Sequence, residues 1–309
     1  MFNLFGQLGF WLKCSRAYSL PMSVMSWVIP FVYGVYYGGV VFSGLLALIG
    51  IVFVHLGSNL FDDYMDYRRY RTNIALGREA VLQKGKCSFL IDGETTERRV
   101  LMAVVVYFAL ASVIGLYFIV LYKLPILLLM AVTGVLCLLY PRSSYWGFGE
   151  VIIGLIFSPL TFLGVYYVMT GSVSMPLMLL SVPFGLIVVV LLYVHSFMDY
   201  NYDAADGKRT LCTISGEKQR AYVLLLYLMF LAYFIIICAC LVGWLPVIYL
   251  VTLFSAVQAV RLAYIVRNYI DAEPASEGEF LGVFSQAQGL TVVFTFFALL
   301  SFALEFFIF

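Results

Sequence analysis

The stretch Asn59-Leu60-Phe61-Asp62-Asp63-Tyr64-Met65-Asp66 closes a long apolar run, and a second acidic stretch, Asp199 to Asp206, closes another. Both fall where a membrane helix should meet water. Clustered carboxylates repel one another, and holding them beside hydrocarbon is costly unless cations or hydrogen bonds compensate. A chain that does this twice is expected to bind cations.

The spacing sharpens that expectation. Asn59, Asp63 and Asp66 stand at offsets of four and three residues, which puts them on one face of a helix. Asp199, Asp203 and Asp206 repeat the same offsets, and His55 and His195 each stand four residues ahead, each preceded by Val. The chain reads as two halves carrying the same element.

Composition supplies the setting. With 309 residues, 63% hydrophobic and 11% charged, and a mean hydropathy of +1.00, the chain is read as an all-α polytopic membrane protein. A net charge of +1 gives no sign of a nucleic-acid partner. Six scattered cysteines lack metal-finger or disulfide-framework spacing. Residues 1–20 have no basic region at their front, so they read as an interfacial amphipathic helix rather than a secretory signal.

Apolar runs long enough to span the bilayer lie near 21–38, 40–60, 99–121, 124–141, 148–169, 175–198, 221–242, 245–265 and 286–308, predicting nine transmembrane helices. With a cytoplasmic N-terminus, 17 of the 18 Lys and Arg residues fall on the inside and only Lys123 outside. The positive-inside rule favours that orientation, which places both acidic motifs on the cytoplasmic side. The whole chain, 1–309, is then a single transmembrane domain in which 67–97 and 204–218 form cytoplasmic cap loops. Basic residues mostly satisfy the orientation rule, but Lys208 and Arg209 directly follow the second motif and suit an anionic ligand.

Dense hard-oxygen donors suit Mg²⁺, which completes its shell with waters and phosphate oxygens. A metal-bound diphosphate is a good leaving group, and an allylic lipid diphosphate would leave a stabilised cation in apolar surroundings. Asp62 and Asp206 are further candidate ligands. His55 and His195 read as hydrogen-bonded packing or interfacial residues rather than acid/base groups, and Glu150 as a helix N-terminal acid. Pro159 is expected to kink the fifth helix.

At these residues the chain resembles the UbiA superfamily of intramembrane prenyltransferases. Asn59, Asp63 and Asp66 match the family's Asn-led acidic motif, and Asp199 and Asp203 match its DxxxD motif. The resemblance implies nine helices around a central cavity. Further strings resemble the 1,4-dihydroxy-2-naphthoate prenyltransferases of menaquinone synthesis: Arg16-Ala17-Tyr18-Ser19-Leu20-Pro21, Gly147-Phe148-Gly149-Glu150, Gly164 to Gly171, and Gly207-Lys208-Arg209-Thr210-Leu211. Likeness runs from about residue 10 to 215 and continues beyond mainly in hydropathy.

What the resemblance implies is Mg²⁺-dependent transfer of a polyprenyl group from its diphosphate to an aromatic acceptor, in a bacterial inner membrane. Asn59, Asp63, Asp66, Asp199 and Asp203 would hold Mg²⁺ and the diphosphate, with Lys208 and Arg16 as phosphate contacts. Asp62, Ala17, His195, Ser196 and Met198 depart from the branch and bear on the identity of the acceptor. Two rivals stand beside this reading. One is the same fold with another acceptor, such as 4-hydroxybenzoate, a tocopherol or chlorophyll precursor, or haem. The other is a cation-coupled transporter or lipid-binding protein, against which the acids' place at helix ends argues.

Overall fold

A computed structural model describes residues 4–77, 87–271 and 276–308. Every regular element among them is helical: α1 (Leu4–Cys14), α2 (Leu20–Tyr36), α3 (Val41–Ala75), α4 (Ser88–Ile91), α5 (Glu97–Tyr122), α6 (Leu124–Ser143), α7 (Gly149–Leu155), α8 (Thr161–Thr170), α9 (Met175–Met198), α10 (Tyr200–Ala205), α11 (Lys218–Leu241), α12 (Ala256–Arg267) and α13 (Glu277–Ile308). A π-helical turn, Ile156–Leu160, joins α7 to α8, and a 3₁₀ segment, Val247–Ser255, leads into α12. Nine candidate membrane spans result among the described residues. Most begin and end within a few residues of the expected apolar runs.

The second span departs most. It was expected to end near residue 60, but α3 continues to Ala75, so the stretch from Tyr67 that reads as the start of a loop is helix. Hydropathy falls there, yet no helix breaker intervenes, and Arg68 and Arg71 lie over the rings of Tyr64 and Tyr67 one turn earlier. Gly77, with φ +65°, follows the end of the helix. The centre of the expected first cap, with Arg78, Lys84 and Lys86, lies outside the described residues. The second cap also carries structure: α10 runs to Ala205, and a short 3₁₀ turn forms at Thr213–Ser215.

The chain divides into two compact units. The first comprises residues up to Val24 together with Leu45–Pro141. Its core next to the acidic motif is built from Cys14, Leu60, Phe89, Leu90, Val100 and Val104. Leu60, fully buried, therefore anchors the turn of α3 that carries Asn59 and Asp63. Thr96 caps α5 by accepting from the Arg99 amide at 3.4 Å, and Glu97 in the first turn pairs with Arg71 of α3.

The second unit comprises Met25–Gly44 and Arg142–Phe309. Its centre is α9, where Ile187, Val188, Val190, Tyr193, Val194 and Phe197 are all fully buried. A helix apolar on every side suits a place surrounded by other helices. The Tyr193 hydroxyl donates to Ala221 O at 2.8 Å, tying α9 to α11, and Phe184 packs on Phe294 of α13 at 6.0 Å.

Small residues set the approach of α7 and its π turn to α9. A methyl added at Gly154 would lie 2.6 Å from Val189 Cγ2 and 3.2 Å from Gly185 O, and one added at Gly185 would lie 3.2 Å from Ser158 Cβ. The Ser158 hydroxyl donates to Ser181 O across the same seam. Without a hydrophobic driving force between helices in lipid, such close backbone packing and polar contacts hold spans together. The distortion expected at Pro159 takes the form of the π turn. Proline has no N–H to give, and the Thr161 amide and hydroxyl both reach back five residues to Ile156 O, the hydroxyl at 2.7 Å.

Candidate active site

In the first unit the acidic motif is one face of the uninterrupted α3. Asp62 and Asp63 are 6% and 2% exposed, while Asn59 and Asp66 are half-buried. The charge is compensated by Arg16, which sits between α1 and a 3₁₀ turn, Ala17–Ser19. Its Nη2 donates to Asp62 Oδ2 at 3.1 Å and to Asp63 Oδ1, and its Nε lies 3.4 Å from Asp63 Oδ2. Burial opposes the guanidinium charge, but Asp63 and Asp62 outweigh it and hold its pKa above the ordinary range.

Arg16 has φ 54° and ψ 46°, a left-handed conformation that a side chain adopts at a cost of roughly 1–2 kcal/mol. The local network holds it there. Ser19 Oγ donates to Arg16 O at 2.8 Å, and Asn59 Nδ2 donates to Ser15 O at 3.0 Å and to Ser19 Oγ at 3.2 Å. Asn59 thus joins the turn to the motif. Ser15 and Ser19 in this role, and Cys87, whose thiol donates to Asp63 O at 3.0 Å, were not singled out from sequence. Their signal, small polar residues in an apolar stretch, is too common to single them out.

The second unit treats the same spacing differently. α9 ends at Met198, Asp199 leaves the helical region at φ −90° and ψ 5°, and the short α10 then carries Asp203. Backbone bonds from Asp203 N to Asp199 O (2.9 Å) and from Asp206 N to Tyr202 O (2.9 Å) keep helical spacing across the break. Asp199 is 5% exposed, and His195 Nδ1 stands 3.1 Å from its Oδ2. The imidazole meets the rings of Phe280 and Phe284 edge-on, with centroids at 4.9 and 5.7 Å.

Lys208 lies beside this motif. Its amide donates to Asp203 O at 2.8 Å, and its ammonium lies 5.3 Å from the centre of the Tyr145 ring. The Tyr145 hydroxyl donates to Asp206 Oδ2 at 3.0 Å, so a single tyrosine contacts both an acid and a base. Arg209 has an exposed side chain, while its backbone O lies against Gly147, where an added methyl would sit 3.2 Å away. Gly147 also has φ +86°, so a side chain there would be both strained and crowded.

Glu150, read from sequence as a helix N-terminal acid, is 4% exposed and accepts from Ser196 Oγ at 2.9 Å and from the Leu211 amide at 3.4 Å. It therefore fastens the Gly207–Leu211 loop to α9 one turn ahead of Asp199.

The donors fit a hard divalent cation by type, since they are carboxylates and one amide oxygen. Among the described residues no three His, Cys, Asp or Glu side chains gather closely enough to enclose an ion. Mg²⁺ is commonly held by one or two carboxylates with substrate phosphate oxygens and water, so an all-protein cage is not the geometry it demands.

Both motifs lie within the stretch that matches known proteins. The model of the UbiA prenyltransferase family matches residues 24–287. The chain is 25% identical over 252 residues to the 1,4-dihydroxy-2-naphthoate octaprenyltransferase of Haemophilus influenzae, covering 77% of this chain and 80% of that one. It is 22% identical over 258 residues to the Bacillus subtilis protein of the same name, covering 81% and 80%. A UbiA homologue from Archaeoglobus fulgidus, solved bound to DMAPP and Mg²⁺, shares the fold with a TM-score of 0.67 at 15% identity, covering 93% of this chain and 98% of that one.

Proposed function

Because the chain belongs to the UbiA prenyltransferase family, we propose that it transfers a polyprenyl group from a polyprenyl diphosphate to 1,4-dihydroxy-2-naphthoate. The observation that carries the acceptor is the likeness, over some four-fifths of the chain, to two proteins that bear that activity in their names. The sequence strings around Arg16, Gly147, Gly164 and Gly207 point to the same branch.

Each motif supplies donors for Mg²⁺: Asn59, Asp62, Asp63 and Asp66 in the first unit, and Asp199, Asp203 and Asp206 in the second. When bound, Mg²⁺ supplies Lewis-acid charge that stabilises the departing diphosphate. Arg16 beside the first motif, and Lys208 and Arg209 beside the second, each add positive charge suited to a diphosphate. Arg16 comes with its geometry set by Ser19, and Lys208 with its ammonium resting on Tyr145. The apolar spans exclude water that would otherwise quench an allylic cation. The allylic carbon–oxygen bond breaks, the diphosphate leaves, a ring carbon of the acceptor forms the new carbon–carbon bond, and the naphthoate carboxyl departs as CO₂. Loop charge supports a cytoplasmic orientation for both motifs, and the resemblance to the menaquinone branch supports a bacterial inner membrane.

The test is a membrane-fraction assay with radiolabelled polyprenyl diphosphate and 1,4-dihydroxy-2-naphthoate, with and without Mg²⁺, beside an Asp63→Ala, Asp199→Ala double variant. The expected result is a Mg²⁺-dependent demethylmenaquinol, detected as the quinone after oxidation by air during extraction, that the variant does not form. Prenylation of another acceptor in its place overturns the acceptor. Folded protein with neither turnover nor Mg²⁺-dependent diphosphate binding overturns the enzyme.

A further inference from the structure

His55 lies one helical turn before Asn59, is 6% exposed, and touches neither Asp62 nor Asp63 through any of the hydrogen bonds described above. Its ring nitrogens meet two serines: Nε2 is 3.0 Å from Ser19 Oγ, and Nδ1 is 2.6 Å from Ser23 Oγ. Ser23 is fully buried. The donor inventory of Ser19 decides how the histidine is protonated. A hydroxyl carries one proton and two acceptor lone pairs. Ser19 commits its proton to Arg16 O, so both nitrogens that approach its oxygen, Asn59 Nδ2 and His55 Nε2, must donate. A neutral histidine is then the Nε2–H tautomer, and its bare Nδ1 accepts from Ser23.

We propose that His55, as this tautomer, is a positioning residue for the diphosphate site: through Ser19 it locks the Arg16 turn to Asn59. The inference rests on the reading above that Arg16 and Asn59 serve that site. Three groups converge on one hydroxyl, and each constrains a different part of the motif. The bond to Arg16 O closes the turn that keeps Arg16 left-handed and its guanidinium on Asp62 and Asp63. The bond from Asn59 uses one amide proton while Ser15 O takes the other, which fixes the amide plane and makes Oδ1 its ligating atom. His55 supplies the remaining contact, so that the serine cannot rotate without losing a partly buried bond. Strained backbone persists where its surroundings over-determine it, and this cluster does so for Arg16.

The experiment joins a spectroscopic and a kinetic readout on the full chain in detergent micelles. Nitrogen NMR of ¹⁵N-histidine protein, with His195→Asn used for assignment, should show His55 protonated at Nε2. His55→Leu should raise KM for the prenyl diphosphate about tenfold, the equivalent of one well-formed, partly buried hydrogen bond, with kcat changed much less. His55→Gln can donate to Ser19 and accept from Ser23, and should return KM to about the wild-type value. Ser19→Ala should reproduce the leucine variant's defect and keeps the test decisive if that variant does not fold. An Nδ1–H tautomer overturns the proposal. So does a glutamine variant as impaired as leucine, or a Ser19→Ala enzyme with unchanged KM. Absence of turnover in the wild type overturns the functional reading instead, while the tautomer still decides the geometry of the cluster.

Discussion

Arg16 and Asp63 meet side by side, with Nη2 on Oδ1 and Nε 3.4 Å from Oδ2, across 47 positions of sequence. The same guanidinium reaches Asp62. Two adjacent buried carboxylates are thus held by one cation from a strained turn, and what replaces or removes that cation should be measurable.

Arg16→Ala leaves Asp62 and Asp63 facing each other without a partner from the turn. Loss of one side of a largely buried charged pair should destabilise the protein by roughly 2–3 kcal/mol. Added Mg²⁺ should raise the melting temperature of the variant more than that of the wild type, because the ion takes over compensation that Arg16 otherwise provides. Thermal unfolding in detergent over a Mg²⁺ series checks both; equal shifts in the two proteins would contradict the account.

Tyr145 offers two contacts that two substitutions separate. Tyr145→Phe removes the bond to Asp206 but keeps a ring beneath Lys208, whereas Tyr145→Ala removes both. The KM for the prenyl diphosphate should rise about twofold to threefold in the first and about tenfold in the second, in line with cation–π contacts worth about 1 kcal/mol or more when desolvated. Initial-rate kinetics on both variants measure the split.

Glu150→Gln retains an acceptor for Ser196 but presents an NH₂ to the Leu211 amide, which needs an acceptor. The Gly207–Leu211 loop should loosen by about 1 kcal/mol. Hydrogen exchange followed by mass spectrometry should show faster exchange there and little change in the buried centre of α9.

Gly154→Leu should be among the most damaging single changes in the second unit, since even a methyl there meets Val189 Cγ2 at 2.6 Å. Overpacking of this kind costs about 1–3 kcal/mol. Gly134→Ala is the control: nothing lies within 4 Å of its added methyl, and removing a helical glycine should be neutral or stabilising by up to about 1 kcal/mol. Melting temperatures of the two variants should move in opposite directions or differ clearly in size.

Cys14 should resist alkylation near neutral pH. Burial, with the nearby charges of Glu94 and Asp63, raises its thiol pKa from 9.0 to about 11. The folded state therefore holds the thiol proton more tightly than the unfolded one. The associated stability is intact below pH 9.0 and is withdrawn as pH climbs through about 11. Cys212, fully buried and also pushed upward by burial, should behave alike. Maleimide labelling of the folded protein followed by peptide mapping, at pH 7 and again above 9, checks the order.

The nine spans were legible because twenty-residue apolar runs leave a membrane chain few alternatives. Their ends were less so. Hydropathy placed the end of the second span at the acidic motif, yet the backbone of α3 continues to Ala75, because carboxylates and arginines are compatible with a helix once it has left the hydrocarbon. The acidic residues and Arg16 were visible as candidates from their types and spacing. That Arg16 lies on Asp62 and Asp63 depends on a left-handed residue and a serine hydroxyl, neither of which leaves a periodic trace. The duplicated spacing likewise hid a difference: His55 bonds to two serines, whereas His195 stands against Asp199 itself.

The π turn at Ile156–Leu160 holds one residue more than an α-helix would need over the same rise. Deleting a single residue there would let an unbroken α-helix form and leave the Glu150 and Tyr166 ends facing as they do now, whereas a deletion within α7 or α8 would turn one end against the other by about 100°, the angle of one residue at 3.6 per turn. Only a deletion of the second kind would swing Glu150 away from Ser196 and Leu211. The π turn is thus a place where the span tolerates a one-residue gap both as a helix and as a register, and a related chain with such a gap there could keep its loop after the second motif fastened in the same way.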